Sequence, residues 1–499
     1  MEKRLILAIV FSSVVLLLWS LITPKPAPRP KDAAVSVLAP SAAAQPLRAI
    51  PDEKKGAPAS LVKFSNEKLE AVFDEDKAAI KEVIFKKYQS YKFSLFDGLA
   101  SGAGFKQESP VAGSISFRYS DSVKQITKRF IFSNSSYQIE LEIETQNLGS
   151  APLSFSLPFS LGAIDFGMDP AQVRNFDFTV SSQDKLLHPN PRKEVLYNSL
   201  KFIGLRDRYF CIITAPPAGN YSGFIKKEGN NRSVIGLNSG ELLVAPGQTI
   251  KQQFLIYLGP QEIKSINGVN PEWAAIVHFG TFDLISQVLL KLLEFFHGIA
   301  RNWGLAIIIL SIAVYFILYP LSLKQMRSMK AMQALQPRIE ALRKTHKDNP
   351  QKLNKEIMEL YREHKVNPLG GCLPLVLQMP IFFALYQALL RSISLKGAAF
   401  LWIKDLSEPD RLFVLPTALP VLGNAINLLP ILMMLEMFVQ QKFTMSASAG
   451  SNEQQKIMLI VFPLIFGFIF YNMPSGLVLY WFVNSTLMLI FQLKVSRAK

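Results

Sequence analysis

Cysteine is nearly absent. The 499 residues hold two, Cys211 and Cys372, in segments that fall on opposite sides of a membrane in the topology argued below. That excludes a disulfide framework, and with no CxxC pair or Cys/His cluster it excludes a structural zinc site. Each cysteine reads as a small buried hydrophobe. A GxxxxGK[ST] loop is also missing, so no P-loop nucleotide chemistry is expected, and no cofactor or metal is called for. Acidic residues are scarce. Thirty-eight Asp and Glu face 54 Lys and Arg, for a net charge of +16. Such an excess suits an anionic partner: nucleic acid, ribosome or anionic lipid. Because 49% of the chain is hydrophobic and the apolar excess follows Trp303, the membrane surface comes first.

What is present centres on Val366–Leu390, VNPLGGCLPLVLQMPIFFALYQALL. A polar Asn-Pro turn and a Gly pair lead into an apolar run of about twenty residues, the length of a bilayer span. Pro374, Pro380, Gln378 and Gln387 interrupt it. Amides facing lipid are costly, so they are expected to face other helices or water.

In chain order, Met1–Ile22 carries Lys3 and Arg4 before an apolar run with no nearby cleavage site, which predicts an uncleaved signal anchor with its N-terminus inside. Residues 23–59, rich in Pro, Ala and Lys, read as a disordered linker. Residues 60–265 change character. Alternating apolar runs recur at Val111–Tyr119, Ile126–Ser133, Tyr137–Thr145, Leu153–Leu157, Tyr209–Thr214, Ser233–Leu237 and Ile250–Tyr257, parted by Gly, Asn, Ser and Pro. Ile139, Leu141 and Ile143 alternate with Gln138, Glu140, Glu142 and Glu144, as in a half-buried antiparallel strand. The pattern predicts a β-sandwich. Its acid–base candidates His188, Asp207 and Glu194 share no catalytic spacing and are expected at the surface.

Residues 271–302 predict an amphipathic helix lying in the membrane interface. Phe282, Ile285, Val288, Leu289, Leu292, Phe296 and Ile299 form one stripe, and Asp283, Gln287, Lys291 and Glu294 the other. Trp303–Leu323 is the next expected span. The segment 324–367 then carries eleven Lys and Arg against five acids, which places it in the cytoplasm. Met326, Met329, Met332, Leu335, Ile339 and Leu342 make one helical stripe, and Leu353, Ile357, Leu360 and Tyr361 another. Asp348-Asn349-Pro350 starts the second helix, giving a helical hairpin. Further spans are expected at Cys372–Leu390, about Leu428 to Gln441, Lys456–Tyr471 and Gly476–Leu493. An outer loop, Arg391–Arg411, has Trp402 at the interface, and a re-entrant or interfacial piece precedes the fourth span. The fold class is a polytopic α-helical membrane protein with six spans, a five-helix core at 303–499, a large outer all-β domain and both ends cytoplasmic.

Several blocks resemble one family. They are YPL at Tyr319–Leu321, LQP at Leu335–Pro337, the run Val366–Tyr386, QQKIM at Gln454–Met458 and PSGLVLYW at Pro474–Trp481. In this order and spacing they resemble the YidC insertases, relatives of the mitochondrial Oxa and chloroplast Albino proteins. The anchor and outer domain look like the Gram-negative bacterial form, whose periplasmic domain is a β-supersandwich of the sugar-mutarotase type. The resemblance implies a non-enzymatic insertase and chaperone of the inner membrane, with a lipid-open hydrophilic groove. It implies nascent membrane proteins as clients and the Sec translocon, membrane lipids and the ribosome as partners, with ribosomal RNA the only nucleic acid touched. The basic tail is short, so ribosome contact is expected to be weak and to run through the hairpin at Met326, Met329, Met332, Arg343 and Lys344. The family pattern places an arginine four residues before the YPL tyrosine, but this chain has Tyr315 there. The groove is expected to be lined by Tyr315, Gln378, Gln387, Glu436, Trp481 and Asn484. Arg391, the other nearby charge, is expected to snorkel outward at the interface.

Two other functions compete. A transporter or channel with a solute-binding β-domain is opposed by the lack of an inverted repeat or charged relay. A tethered sugar enzyme is opposed by the lack of a His/carboxylate constellation.

Overall fold

The computed structural model describes residues 60–497, apart from 89–90, 110, 184, 218–220, 347–348, 365, 367–372, 420–422 and 447–452. The expected anchor and linker, and Cys372, lie outside the described residues.

The chain from Leu61 to Pro260 is β apart from a 3-10 turn at Lys86–Tyr88 and one helical turn at Pro170–Val173, and every strand pair in it is antiparallel. The largest sheet has nine strands. In spatial order they are Lys185–Leu187, Asp177–Ser182, Phe202–Arg206, Phe210–Thr214, Thr249–Pro260, Gln138–Asn147, Lys124–Phe132, Ser114–Ser120 and Lys106–Gln107. Two four-stranded sheets accompany it, one from Leu61 to Gly98 and one ordered Pro158–Asp165, Arg232–Ser239, Tyr221–Glu228 and Val195–Tyr197. All seven runs expected from alternation are strands. Ile139, Leu141 and Ile143 are at most 1% exposed, so the period of two does point one face into the core. Each such aliphatic side chain contributes about 1.5–3 kcal/mol by burial. Cys211 is fully buried in that core, and burial pushes its thiol up, away from reactivity.

The surface expectation for the acid–base candidates fails at Asp207. It is 4% exposed and ties a strand corner. Its Oδ1 accepts from the backbone N–H of Tyr209 and of Phe210, each at 2.7 Å, and its Oδ2 accepts from the Tyr91 hydroxyl at 3.0 Å. Burial nevertheless raises its carboxyl to about 6. His188 is half-buried against Asp177, with Nδ1 3.1 Å from Oδ2. Glu194 sits on the exposed rim, accepting from Lys227 N.

Among the described residues a short helix, Ile263–Asn267, and seven longer ones follow. The expected amphipathic helix starts later than residue 271. Pro271–Ile276 and Gly280–Phe282 are 3-10 turns, and they seat Trp273 and Ile276 in the β-domain core. Helix α1 spans Asp283–Ala300. It buries Ser286, Leu289 and Leu293 and leaves Leu284, Val288, Phe295 and Ile299 exposed. Arg301, in the left-handed region at φ 52°, ends it, and Asn302 caps the next helix by accepting from Leu305 N at 3.1 Å.

That helix, α2, runs unbroken from Trp303 to Thr345, so span and hairpin arm are one rod rather than two elements. Helix α3, Pro350–Glu363, starts where expected. Asn349 Oδ1 accepts from Lys352 N at 3.0 Å, with proline in the first turn. Leu335 and Ile339 of α2 are buried, and His346, just past the end of α2, lies 2.9 Å from Glu356 of α3. Helices α4 (Leu373–Arg391), α5 (Leu428–Ser446), α6 (Glu453–Tyr471) and α7 (Ser475–Arg497) complete the bundle. The piece before α5 is a β-hairpin, Phe413–Leu419 with Gly423–Ile426. Asp410 Oδ2 accepts from Leu429 N at 2.6 Å and from the Trp402 indole at 3.2 Å, fixing the start of α5. Among the described residues, two helices are long and apolar enough to cross a bilayer, Trp303–Met332 and Ser475–Lys494, and Ile460–Tyr471 is a shorter apolar helix.

Candidate functional site

Helix α7 is the element on which the polar side chains of the bundle converge. Gln378 of α4 donates through Nε2 to the Tyr480 hydroxyl at 2.5 Å. One turn on, Asn484 Nδ2 donates to Tyr480 O at 3.0 Å. Ser485 Oγ gives its proton to the carbonyls of Trp481 and Phe482 at 3.0 and 3.2 Å. Glu436 of α5 sits beside Ser485, yet both its carboxyl oxygens are buried and make no direct hydrogen bond. Buried and unpartnered in the same way are the Tyr315 hydroxyl, Thr486 Oγ1 and Gln492 Oε1. Tyr315 packs on Tyr319, whose ring meets Phe491 of α7 at 5.2 Å between centroids.

A buried polar atom with no partner costs about 1–3 kcal/mol. Several on the three helices α2, α5 and α7, one of them a carboxyl, mean that this interior needs water or a polar visitor. Trp481 marks the dry side. Its ring lies 5.3–5.7 Å from those of Phe382, Phe466 and Phe470.

The structure brings Gln378, Glu436, Trp481 and Asn484 together around α7, with Tyr315 nearer its C-terminal end. Gln387 is elsewhere. Nine residues along α4 is a rotation of about 180° from Gln378. Its i−4 neighbour Phe383 faces Phe282, ahead of α1. Arg391 does not snorkel outward. Its Nε and Nη1 are buried, and it lines a cleft against the β-domain with Asp177, Arg206 and His278. In the hairpin, Met326 and Met332 are half-buried, Arg343 is exposed and so is Lys344, while the side chain of Met329 lies outside the described residues. Sequence reading missed Ser485, Thr486 and Gln492, which share α7 with Asn484. Helical spacing from Asn484 was the signal that could have found Gln492, eight residues on, whereas Ser485 and Thr486 follow Asn484 directly and turn away from its face.

Comparison with known proteins settles the family. Residues 295–499 match the model of the 60Kd inner membrane protein family, and residues 106–292 match that of the YidC periplasmic domain. The membrane protein insertase YidC of Pelobacter propionicus is 31% identical, over 100% of this chain and 99% of its own. The chain belongs to the YidC family. That makes the β-domain its periplasmic domain, places the protein in the bacterial inner membrane and sets it among insertases, not enzymes. A crystal structure described as an active YidC insertase with the first transmembrane domain resolved aligns over 89% of this chain and 95% of its own, at 19% identity and a TM-score of 0.42. A galactose mutarotase-like protein from Lactobacillus casei aligns over 40% of this chain and 100% of its own, at 10% identity and a TM-score of 0.32.

Proposed function

We propose that the chain inserts nascent membrane proteins, and helps them fold, through a polar interior organised along α7. Carrying the polar flank of a client across hydrocarbon is expensive, because each unpaired polar group loses its water. The buried oxygens of Tyr315, Glu436, Thr486 and Gln492 are the observation that carries this reading, since they offer acceptors inside the bundle that no well-formed bond from the described residues fills, Ser485 beside Glu436 being the nearest donor. A flank held there crosses a shorter dry path, and burial of the client helix in lipid, with the membrane potential, supplies the driving force. The groove residues are Tyr315, Gln378, Glu436, Trp481 and Asn484. Gln387 contributes nothing to this wall.

The proposed topology has six spans: the anchor, α4 to α7, and the first part of α2. Both termini are cytoplasmic. The hairpin of α2 and α3, with Arg343 and Lys344 exposed near its tip, is the contact for the ribosome, and the Sec translocon is a second partner. The test is insertion of a small two-span client in a Gram-negative host depleted of its own insertase. Gln378→Leu combined with Glu436→Leu lowers insertion several-fold at equal expression if the groove is as described. Unchanged insertion would remove these residues from the mechanism.

A further inference from the structure

The periplasmic domain meets the outer ends of the core helices around a cleft of about 520 Å³, lined by Arg174, Asp177, His188, Arg206, His278 and Arg391 among others. None of these residues belongs to the polar interior along α7. The chain brings them from far apart: a sheet edge, the turn before α1, and the last residue of α4.

Its charges do not cancel. Asp177 Oδ2 accepts from Arg206 Nε at 3.3 Å, lies 3.2 Å from Arg206 Nη2, and faces His188 Nδ1 at 3.1 Å. Arg206 is 1% exposed and fully engaged. Its Nη1 donates to the carbonyls of Ile276 and His278, each at 3.0 Å, and its Nη2 donates to His278 Nε2 at 2.6 Å. The second carboxylate on the wall, Asp283, is used by Phe279 N and Gln287 Nε2, both at 2.7 Å. Arg391 feels the Asp177 and Asp207 carboxylates at a distance but bonds to neither through Nε or Nη1. Its Nε and Nη1 are buried with no acceptor, and Arg174 adds an exposed guanidinium at the rim. Buried guanidinium nitrogens without an acceptor are costly, and the planar fork fits an oxyanion.

A metal ion is the competing occupant. Asp177, His188 and His278 offer ligand atoms within 4.8 Å of one another. The nitrogen that His278 would give to a metal already accepts from Arg206, and three guanidinium groups surround the place. Burial, with Arg206 and His188 close by, pulls His278 down to about 3, so it stays a neutral acceptor for Arg206. The cleft therefore rejects cations.

We propose that this cleft binds a phosphate group, with Arg391 as its principal ligand and Arg174 as a second. The group can come from a phospholipid headgroup or from free phosphate. The headgroup is the nearer source, because Asp283 on the cleft wall opens α1, whose exposed Leu284, Val288, Phe295 and Ile299 give the helix a lipid-facing side.

The test uses the full-length protein in detergent. Phosphatidylglycerol is titrated and followed by native mass spectrometry. Inorganic phosphate is titrated and followed by phosphorus NMR line broadening. Loss of charge-assisted bonds in Arg391→Gln weakens phosphate or lipid binding about tenfold, and Arg174→Gln weakens it less. Binding of phosphatidylglycerol alone identifies a headgroup site, and binding of both probes identifies a general phosphate site. Should Arg391→Gln fail to fold, the exposed Arg174→Gln carries the comparison. The proposal is overturned if neither probe binds the wild type, if the folded variants bind as the wild type does, or if Zn²⁺ binds in a manner abolished by His278→Ala.

Discussion

Arg208 of the periplasmic domain lies 3.0 Å from Glu408, in the loop that joins α4 to α5. The same guanidinium donates to Leu390 O at 2.8 Å and to Ser407 O at 2.7 Å, and next to it the Tyr209 hydroxyl reaches Ser407 Oγ at 3.2 Å. Ile393, from the same loop, is buried in the β-domain core. The sandwich is thus joined to the bundle by Arg208, Tyr209 and Ile393.

Removal of that arginine should loosen the joint more than removal of its acid. Arg208→Ala leaves two carbonyls without a donor, costing about 2–3 kcal/mol. Glu408 is a third exposed, so its ion pair contributes about 0.5 kcal/mol. Thermal melting of the full-length protein should fall clearly in Arg208→Ala and barely in Glu408→Ala. Equal losses would mean that the carbonyl contacts carry no weight.

For Glu436, burial and shape can be separated from polarity. Glu436→Gln keeps two polar atoms at the α5–α7 contact, whereas Glu436→Leu removes them. Client insertion is expected to stay within about twofold of wild type for Gln and to drop several-fold for Leu. A Gln variant as defective as Leu would show that the charge itself is needed.

Lys128 sets a pH dependence. It is fully buried, its Nζ donates to Ala78 O at 2.9 Å, and burial lowers its ammonium to about 7. Between that value and the unfolded 10.5, the unfolded chain holds the extra proton. Stability of the periplasmic domain should therefore rise as pH increases through this window, and level off above it. Near-ultraviolet circular dichroism of the full chain in urea, at pH 7 and pH 9.5, measures the rise. Lys128→Met should flatten it.

Gly304 is held by space. A Cβ there would lie 2.0–2.6 Å from atoms of Phe400. Gly304→Ala should cost about 1–3 kcal/mol by overpacking. Combined with Phe400→Ala it should cost less than the sum of the two singles, because the clash and its partner vanish together. Strict additivity in melting temperature would argue that the two residues do not touch.

Much of the architecture could be read from pattern. Strands with one wet face, such as Gln138–Asn147, announce themselves by alternation. Phe202–Arg206 does not, because all five residues are buried and no period of two survives. The break expected after Leu323 is absent, since the change from apolar to basic residues marks the edge of a membrane, not the end of a helix. Neither Gly nor a capping residue stops α2 there, and Pro320 and Pro337 are accommodated. Residues 271–282 mimic the apolar content of a helix, but Trp273 and Ile276 are claimed by the core of the sandwich. Polar residues of the bundle were legible one by one because they stand out in apolar runs. Rotation about α4 separates Gln378 from Gln387, and residue type alone carries no such angle. The Arg391 cleft was invisible for another reason: its walls come from three distant stretches that only folding joins.

The rod from Trp303 to Thr345 is roughly 65 Å long at ordinary helical rise. The hairpin arm and the span form one lever, so any swing of the hairpin is confined to the prolines within it. A load applied at Thr345 arrives at Trp303, beside Phe400 and the joint with the sandwich, and Pro320 and Pro337 are the places where such a lever bends.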